Sequence, residues 1–200
     1  MIFDASQISS QEKYRLLSGG VSPRPIAWIS TRSAAGDDNL APYSFFTVAS
    51  CEPPVLLFTQ VLPRTLSHKD TLQNLIETNE CVVNVVSRDL VEKMNKTSAT
   101  LPSTESEYTF ADVESCVSQK VTPRSVKHSP IRYECTLRDT HCLGQTATAG
   151  TVILLDVKSI YVADALIDDG IVNQQLLDSV GKMGGDFFSF TSDTITLKRP

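Results

Sequence analysis

The chain has 200 residues, 41% hydrophobic and 20% charged, enough to bury a full core, and all-β barrels of this length commonly form one domain. Eighteen Lys and Arg against 23 Asp and Glu leave a formal charge of −5 and a pI near 5.2, which excludes the broad basic surface that a phosphate backbone demands. Nucleic acid is not an expected partner.

The first twenty residues carry Asp4, Glu12, Lys13 and Arg15 without a continuous apolar core. No later stretch reaches the length of a membrane span, so a soluble, cytoplasmic chain without membrane contact is expected. Ile26 to Thr31 reads as a strand, and "AAGDDN" (Ala34 to Asn39) as a turn that closes a hairpin. Tyr43, Phe45, Thr47 and Ala49 then alternate with Ser44, Phe46, Val48 and Ser50, which predicts one strand with two unlike faces. "CEPP" turns the chain into a strand from Val55 to Thr59.

The run "SHKDTLQNLIETNE" opens with Ser67 and Asp70 in capping-box spacing and places Leu72, Leu75 and Ile76 on one helical face. Further strands are predicted at Cys81 to Ser87, Tyr133 to Arg138 and Gly150 to Ala163, and short helices at Asp89 to Lys96 and Asn173 to Val180. Residues 97–129 are rich in Ser and Thr and show no clean period. They read as a surface excursion from the barrel, or as a flap or dimer-contact arm. Many short strands joined by tight turns favour a closed or partly closed barrel, and one domain is expected over residues 1–200.

Five cysteines, at 51, 81, 116, 135 and 142, form no C-x-x-C pair and are expected as reduced thiols, Cys135 as a buried one. His68, His128 and His141 lack the paired spacing of a zinc site, so no metal is expected. Neither a G-x-G-x-x-G nor a Walker loop occurs among the nine glycines, and any nucleotide must be held without those folds.

Prolines recur where strands are predicted: Pro25, Pro42 and the pair Pro53-Pro54. Proline gives no N–H to a ladder, so its repeated use suggests backbone groups kept for another partner. The surrounding words are "RPIAWIST" (Arg24 to Thr31), "NLAPYSFF" (Asn39 to Phe46), "PPVLLF" (Pro53 to Phe58), Arg64, "KDT" (Lys69 to Thr71), "NKTSA" (Asn95 to Ala99) and "GKMGGDFF" (Gly181 to Phe188). In that order they resemble the flavin reductase-like, FMN-binding split-barrel family. The resemblance implies a mainly β fold, a split β-barrel that binds FMN, with a few peripheral helices. It also implies a homodimer with FMN near the subunit interface, and NADH or NADPH as hydride donor in many members.

An isoalloxazine ring needs flat apolar walls and a few donors and acceptors along its pyrimidine edge. On the resemblance, Asn39, Leu40, Ala41, Pro42, Tyr43 and Ser44 present backbone to the flavin, while Ala27, Trp28, Ile29 and Ser30 line its other side. Trp28 and the prolines also have a packing reading, Trp28 as core or interface and the prolines as barrel corners. Ser44 and Thr47 are the polar candidates within the aromatic run. Asn95 and Thr97, and the close-approach turn at Gly184 and Gly185, follow from the later motifs. Lys182 stands where the family more often has arginine, and Phe188 where tyrosine is common, which weakens both as ligands.

Arg64, Ser67, Lys69 and Thr71 surround the start of a helix, whose free N–H groups and dipole favour an anion. A plain capped helix explains the same residues, and the resemblance at "KDT" tips the reading toward the FMN phosphate. The flavin would carry the hydride chemistry, so no acid, base or nucleophile is singled out and the catalytic residues stay unnamed. The expected activity is NAD(P)H:flavin oxidoreduction with a downstream monooxygenase or other electron acceptor. The alternatives are an FMN electron-transfer protein with a protein partner, and a split-barrel module for another planar ligand such as haem.

Overall fold

In the computed structural model the described residues are 1–61 and 70–198. Seven strands form the main sheet: β1 (Ala27–Arg32), β2 (Asp38–Tyr43), β3 (Phe46–Cys51), β4 (Pro54–Val61), β5 (Glu80–Val85), β6 (Ile131–Cys142) and β7 (Gly150–Val162). Their order across the sheet is β2-β1-β5-β6-β7-β4-β3, every ladder antiparallel. The β1–β2 hairpin closes where expected, with the Ser33 N–H on the Asp37 carbonyl at 2.9 Å and Gly36 at φ +98°.

One feature of this order sets the architecture. β2 and β3 are separated in the chain only by Ser44 and Phe45, yet they lie at opposite edges of the sheet. The sheet must therefore curl until its edges meet at that link. Two bonds tie the meeting point to β4: the Thr59 N–H donates to the Phe45 carbonyl at 2.8 Å, and the Tyr43 hydroxyl to Gln60 Oε1 at 3.1 Å. The single strand expected from Tyr43 to Ser50 is thus two strands, and the expected alternation breaks at the link: Tyr43 and Phe46, three residues apart, both pack on the barrel core.

Side chains on the two faces of β1 build two cores. Ala27 and Ile29 point into the barrel with Tyr43, Phe58, Val83, Cys135 and Ile153. Ile26 and Trp28 point outward into a second cluster with Leu40, Met94, Tyr108 and Val126. Helix α2 (Asp70–Thr78) buries Leu75 and leaves Ile76 60% exposed, so its apolar face is narrower than the spacing suggests. Cys81 lies directly opposite Cys135 across the β5–β6 ladder; bonding to Cys135 and burial push the Cys81 thiol up, as befits an inert core thiol.

Three other expectations are corrected. A helix not foreseen, α1 (Ser10–Gly20), opens on a complete capping box between Ser9 and Glu12. Residues 97–129 do more than ride on the surface: the one-turn helix Glu107–Phe110 and the ladder of Ser115–Cys116 with Ser125–Val126 bury Tyr108, Val113 and Val126 against Trp28. The helix expected from Asn173 to Val180 is a single turn, Gln174–Leu177, capped by the Asn173 side chain. Val180 instead starts the strand Val180–Lys182, the middle of a small sheet between Arg24–Pro25 and Phe188–Phe190. No helix among the described residues is long and apolar enough to cross a membrane.

Candidate functional site

The link between β2 and β3 opens onto a cleft of about 370 Å³, a size suited to a small-molecule site. Ile26, Met94 and Phe188 supply apolar wall; Pro42, Ser44, Asn95, Ser98, Lys182 and Asp186 complete the lining. The cleft thus gathers a strand end, the end of helix α3 (Val91–Lys96) and the C-terminal hairpin. A flat aromatic ligand with polar groups on its edge fits this distribution, since the apolar residues can cover a ring face while the polar ones reach its rim.

Pro42 sits here at no cost to the sheet. The N–H of Leu40 faces away from β1, bonding Glu107 Oε2 at 2.9 Å, and Pro42, two residues on, shares that outward side. Its missing N–H is one that no ladder would have used. The outward edge at Pro42 offers a carbonyl acceptor and no donor.

The residues expected at the site separate into groups. Pro42, Ser44 and Asn95 line the cleft. Ala27, Trp28, Ile29 and Ser30 are 0% exposed, with their side chains committed elsewhere. Trp28 Nε1 donates to Thr97 Oγ1 at 2.8 Å, and Thr97 donates in turn to the Met94 carbonyl at 2.7 Å. Two expected ligand residues therefore meet each other and hold the end of α3, placing Met94 and Asn95. The Ser30 hydroxyl is taken by the Arg124 carbonyl.

Asn39 and Thr71 likewise find one another, Nδ2 to Oγ1 at 3.0 Å, at the start of α2; Thr71 is buried. Leu40 and Tyr43 are core residues and Ala41 is partly buried against the barrel core. Burial pushes the Tyr43 hydroxyl far up, so it stays a neutral donor. Arg64, Ser67 and Lys69 lie outside the described residues.

At the C-terminal hairpin, a Cβ on Gly184 would stand 3.3 Å from Gly19 Cα, and Gly185 has φ +59°; the pair forms a close-approach turn beside the cleft. Lys182 Nζ donates to the carbonyls of Gly185 and Phe187 and lies 4.4 Å from the Phe188 ring centroid. Burial lowers its pKa, Asp186 raises it and nearby Arg24 lowers it again. Lysine in place of arginine thus closes its own turn and still carries its charge to the cleft.

Two contributors escape sequence reasoning. Arg24 is buried and ties the end of α1 to the hairpin, through the carbonyls of Ser18, Val21 and Met183. It opens the motif "RPIAWIST", but its partners are bare backbone carbonyls, so the motif does not reveal its task. Glu107 caps the open edge of β2. Burial pushes its carboxyl up from 4.5, the N–H groups of Leu40 and of Glu107 itself oppose that, and Asp70 adds to the rise.

A carboxyl raised in the folded state binds its proton more tightly there than in the unfolded chain. Its contribution to stability is full below about pH 4.5 and is lost as pH rises through the folded value. Glu107→Gln keeps an acceptor for Leu40 and is expected to flatten that decline without lowering stability at neutral pH. Glu107→Ala orphans a buried N–H and should cost about 1–3 kcal/mol. Urea unfolding from about pH 4 to about pH 8 checks both; a Gln variant as weak as the Ala variant would show that the charge itself is required.

Comparison with known proteins agrees with this fold. Residues 19–177 match the flavin reductase-like domain, a match that ends before the Gly184-Gly185 turn. An uncharacterized protein of Halalkalibacterium halodurans is 35% identical over 202 residues, covering 100% of this chain and 97% of its own. Another, from Bacillus subtilis, is 33% identical, covering 100% and 98%. Among solved structures, nitrilotriacetate monooxygenase component B from Bacillus cereus superposes with a TM-score of 0.93 at 29% identity over 98% of each chain. The 2-nitrobenzoate 2-nitroreductase of Pseudomonas fluorescens gives 0.90 at 27% identity, over 100% of this chain and 96% of its own.

Proposed function

The chain belongs to the flavin reductase-like domain family, and from that premise we propose that it is an FMN-binding oxidoreductase taking hydride from NADH or NADPH. In this reading residues 1–200 act as one domain, in the cytoplasm and as a homodimer. The observation that carries it is the cleft at the β2–β3 link, where one apolar wall meets a rim of hydroxyl, amide, carboxylate and ammonium groups. A bound flavin supplies the hydride-accepting centre. Ile26, Met94 and Phe188 would shield its ring from water, and Ser44 and Asn95 would orient its polar edge. Lys182 places a positive charge at the same rim. The likeness to a monooxygenase component supports a downstream enzyme as recipient of the electrons.

Anaerobic titration of the FMN-loaded protein with each nicotinamide tests the proposal. Bleaching of the visible flavin band at a stoichiometric dose of one of them is expected. FMN binding without bleaching would move the assignment to an electron-transfer protein, and no FMN binding at all would move it to another planar ligand.

The homodimer reading has its own support. On the outer face of the sheet Leu57 pairs with Leu154 and Thr59 with Val152, all half-buried. A second copy laid over this apolar strip would bury it and border the cleft. Light scattering at low micromolar protein is expected to give the dimer mass; a clean monomer with full FMN binding would overturn this.

A further inference from the structure

Beyond the cleft, on the other side of Ser44, lies a more apolar groove of about 470 Å³ walled by Leu17, Val21, Phe45, Phe46 and Leu57; only its Leu57 and Thr59 side belongs to the strip that a second copy would cover, so that copy would border the groove. Arg24 lines it and is only 6% exposed. A guanidinium has five N–H donors. Here two on Nη1 go to the Ser18 and Val21 carbonyls, one on Nη2 to Met183, and Nε to Ser44 Oγ at 3.4 Å. The second hydrogen on Nη2 has no partner among the described residues, and neither has the proton of Ser44.

No carboxylate forms an ion pair with Arg24 among the described residues, and residues 62–69, "LPRTLSHK", contain no acid. Its direct cross-strand partner is Lys182, a like charge. Asp186, the acid that acts on Lys182, lines the first cleft and does not line this groove. The guanidinium is held by three carbonyls, one hydroxyl and the Phe45 ring, whose centroid lies 5.7 Å from its Cζ, and a buried cation so placed, facing a second cation and without a counter-charge, is stabilised further when an anion joins it.

We propose that this groove binds a small ligand with a flat apolar body and one carboxylate, the carboxylate held by Arg24 and Ser44. The apolar walls argue against a highly charged ligand, and the spare Nη2 hydrogen and the Ser44 proton provide two donors for one anionic group. The inference rests on the flavin reading only in placing this ligand beside the flavin, since Ser44 lines both spaces.

Calorimetry on the full chain with benzoate, benzamide and acetate as probes tests it. Benzoate is expected to bind about tenfold or more tighter than either benzamide, which lacks the charge, or acetate, which lacks the body. Arg24→Gln should erase the preference for benzoate while changing benzamide affinity less than about twofold. Equal binding of benzoate and benzamide to the wild type overturns the anion site, and acetate binding as tightly as benzoate overturns the groove. Equal loss of both aromatic probes in the variant would make Arg24 a brace alone. If Arg24→Gln does not fold, the three wild-type probes still decide. FMN affinity is measured separately by fluorescence quenching: its absence defeats the flavin reading, while the benzoate comparison stands on the flavin-free chain.

Discussion

Trp28→Ala is expected to cost about 3–5 kcal/mol of folding stability, the usual range for deleting a fully buried large aromatic. The ring is 0% exposed and packs with Leu40, Met94, Tyr108 and Val126, so little of the space it leaves can be refilled by solvent or by collapse. The loss also frees the Thr97 hydroxyl, which then accepts from nothing while still donating to Met94. For a domain of this size, a deficit of that magnitude lowers Tm by roughly 6–20 °C. Trp28→Phe separates the two contributions: it keeps most of the volume, drops the indole N–H, and should cost about 1–2 kcal/mol. Thermal and urea unfolding of both variants measure this. A Trp28→Ala deficit below about 1 kcal/mol would mean that residues 97–129 repack freely and do not form a second core.

Lys69→Ala and Arg64→Ala are each expected to weaken FMN binding by about ten- to a hundredfold, from the loss of one charge-assisted hydrogen bond of roughly 1.5–3 kcal/mol. This prediction rests on the sequence, since both residues lie outside the described ones. It gains support from Asn39 and Thr71, which anchor the start of α2 to β2, the strand that leads to the cleft. Riboflavin, which lacks the phosphate, should be nearly indifferent to both substitutions. Equal losses for FMN and riboflavin would place the phosphate elsewhere and leave the helix as scaffold.

The hairpin, the central strands and helix α2 are legible because each is a local pattern: alternation, a turn rich in Gly and Asp, a face of leucines. The break at Ser44 and Phe45 is not: the sequence reads as one alternating run from Tyr43 to Ser50, whereas the fold changes both the neighbouring strand and the face there, with Tyr43 and Phe46 both on the barrel core. Helix α1 has its capping box in plain view at Ser9 and Glu12, but Ser18 is its only buried residue and no apolar stripe announces it. At the site, sequence reasoning finds Pro42, Ser44 and Asn95 through the motifs that contain them. It also selects Trp28, Thr97, Asn39 and Thr71, which bond in two pairs, Trp28 with Thr97 and Asn39 with Thr71, and do not line the cleft. A motif records that residues act together and leaves open which of them touches a ligand. Arg24 stands inside a motif too, yet its task depends on Ser18, Val21 and Met183 carbonyls, which any residue could have provided.

The link between β2 and β3 also explains how a closed sheet can keep an open edge. Most barrels close by zipping first strand to last, which consumes the backbone groups of both. Here six ladders hold seven strands, and the ring is completed by a covalent tether two residues long, helped by one bond at Phe45 and one at Tyr43. So short a connection adds little closure entropy. It leaves the outward groups of β2 beyond Leu40 unspent at the place where the chain crosses over. A chain nicked between Ser44 and Phe45 would keep every ladder and lose the covalent closure, leaving the Tyr43–Gln60 bond and the shared core to hold the edges together. Joining the edges by chain instead of by ladder is therefore what gives this barrel both a seam and a ligand-facing backbone at the same two residues.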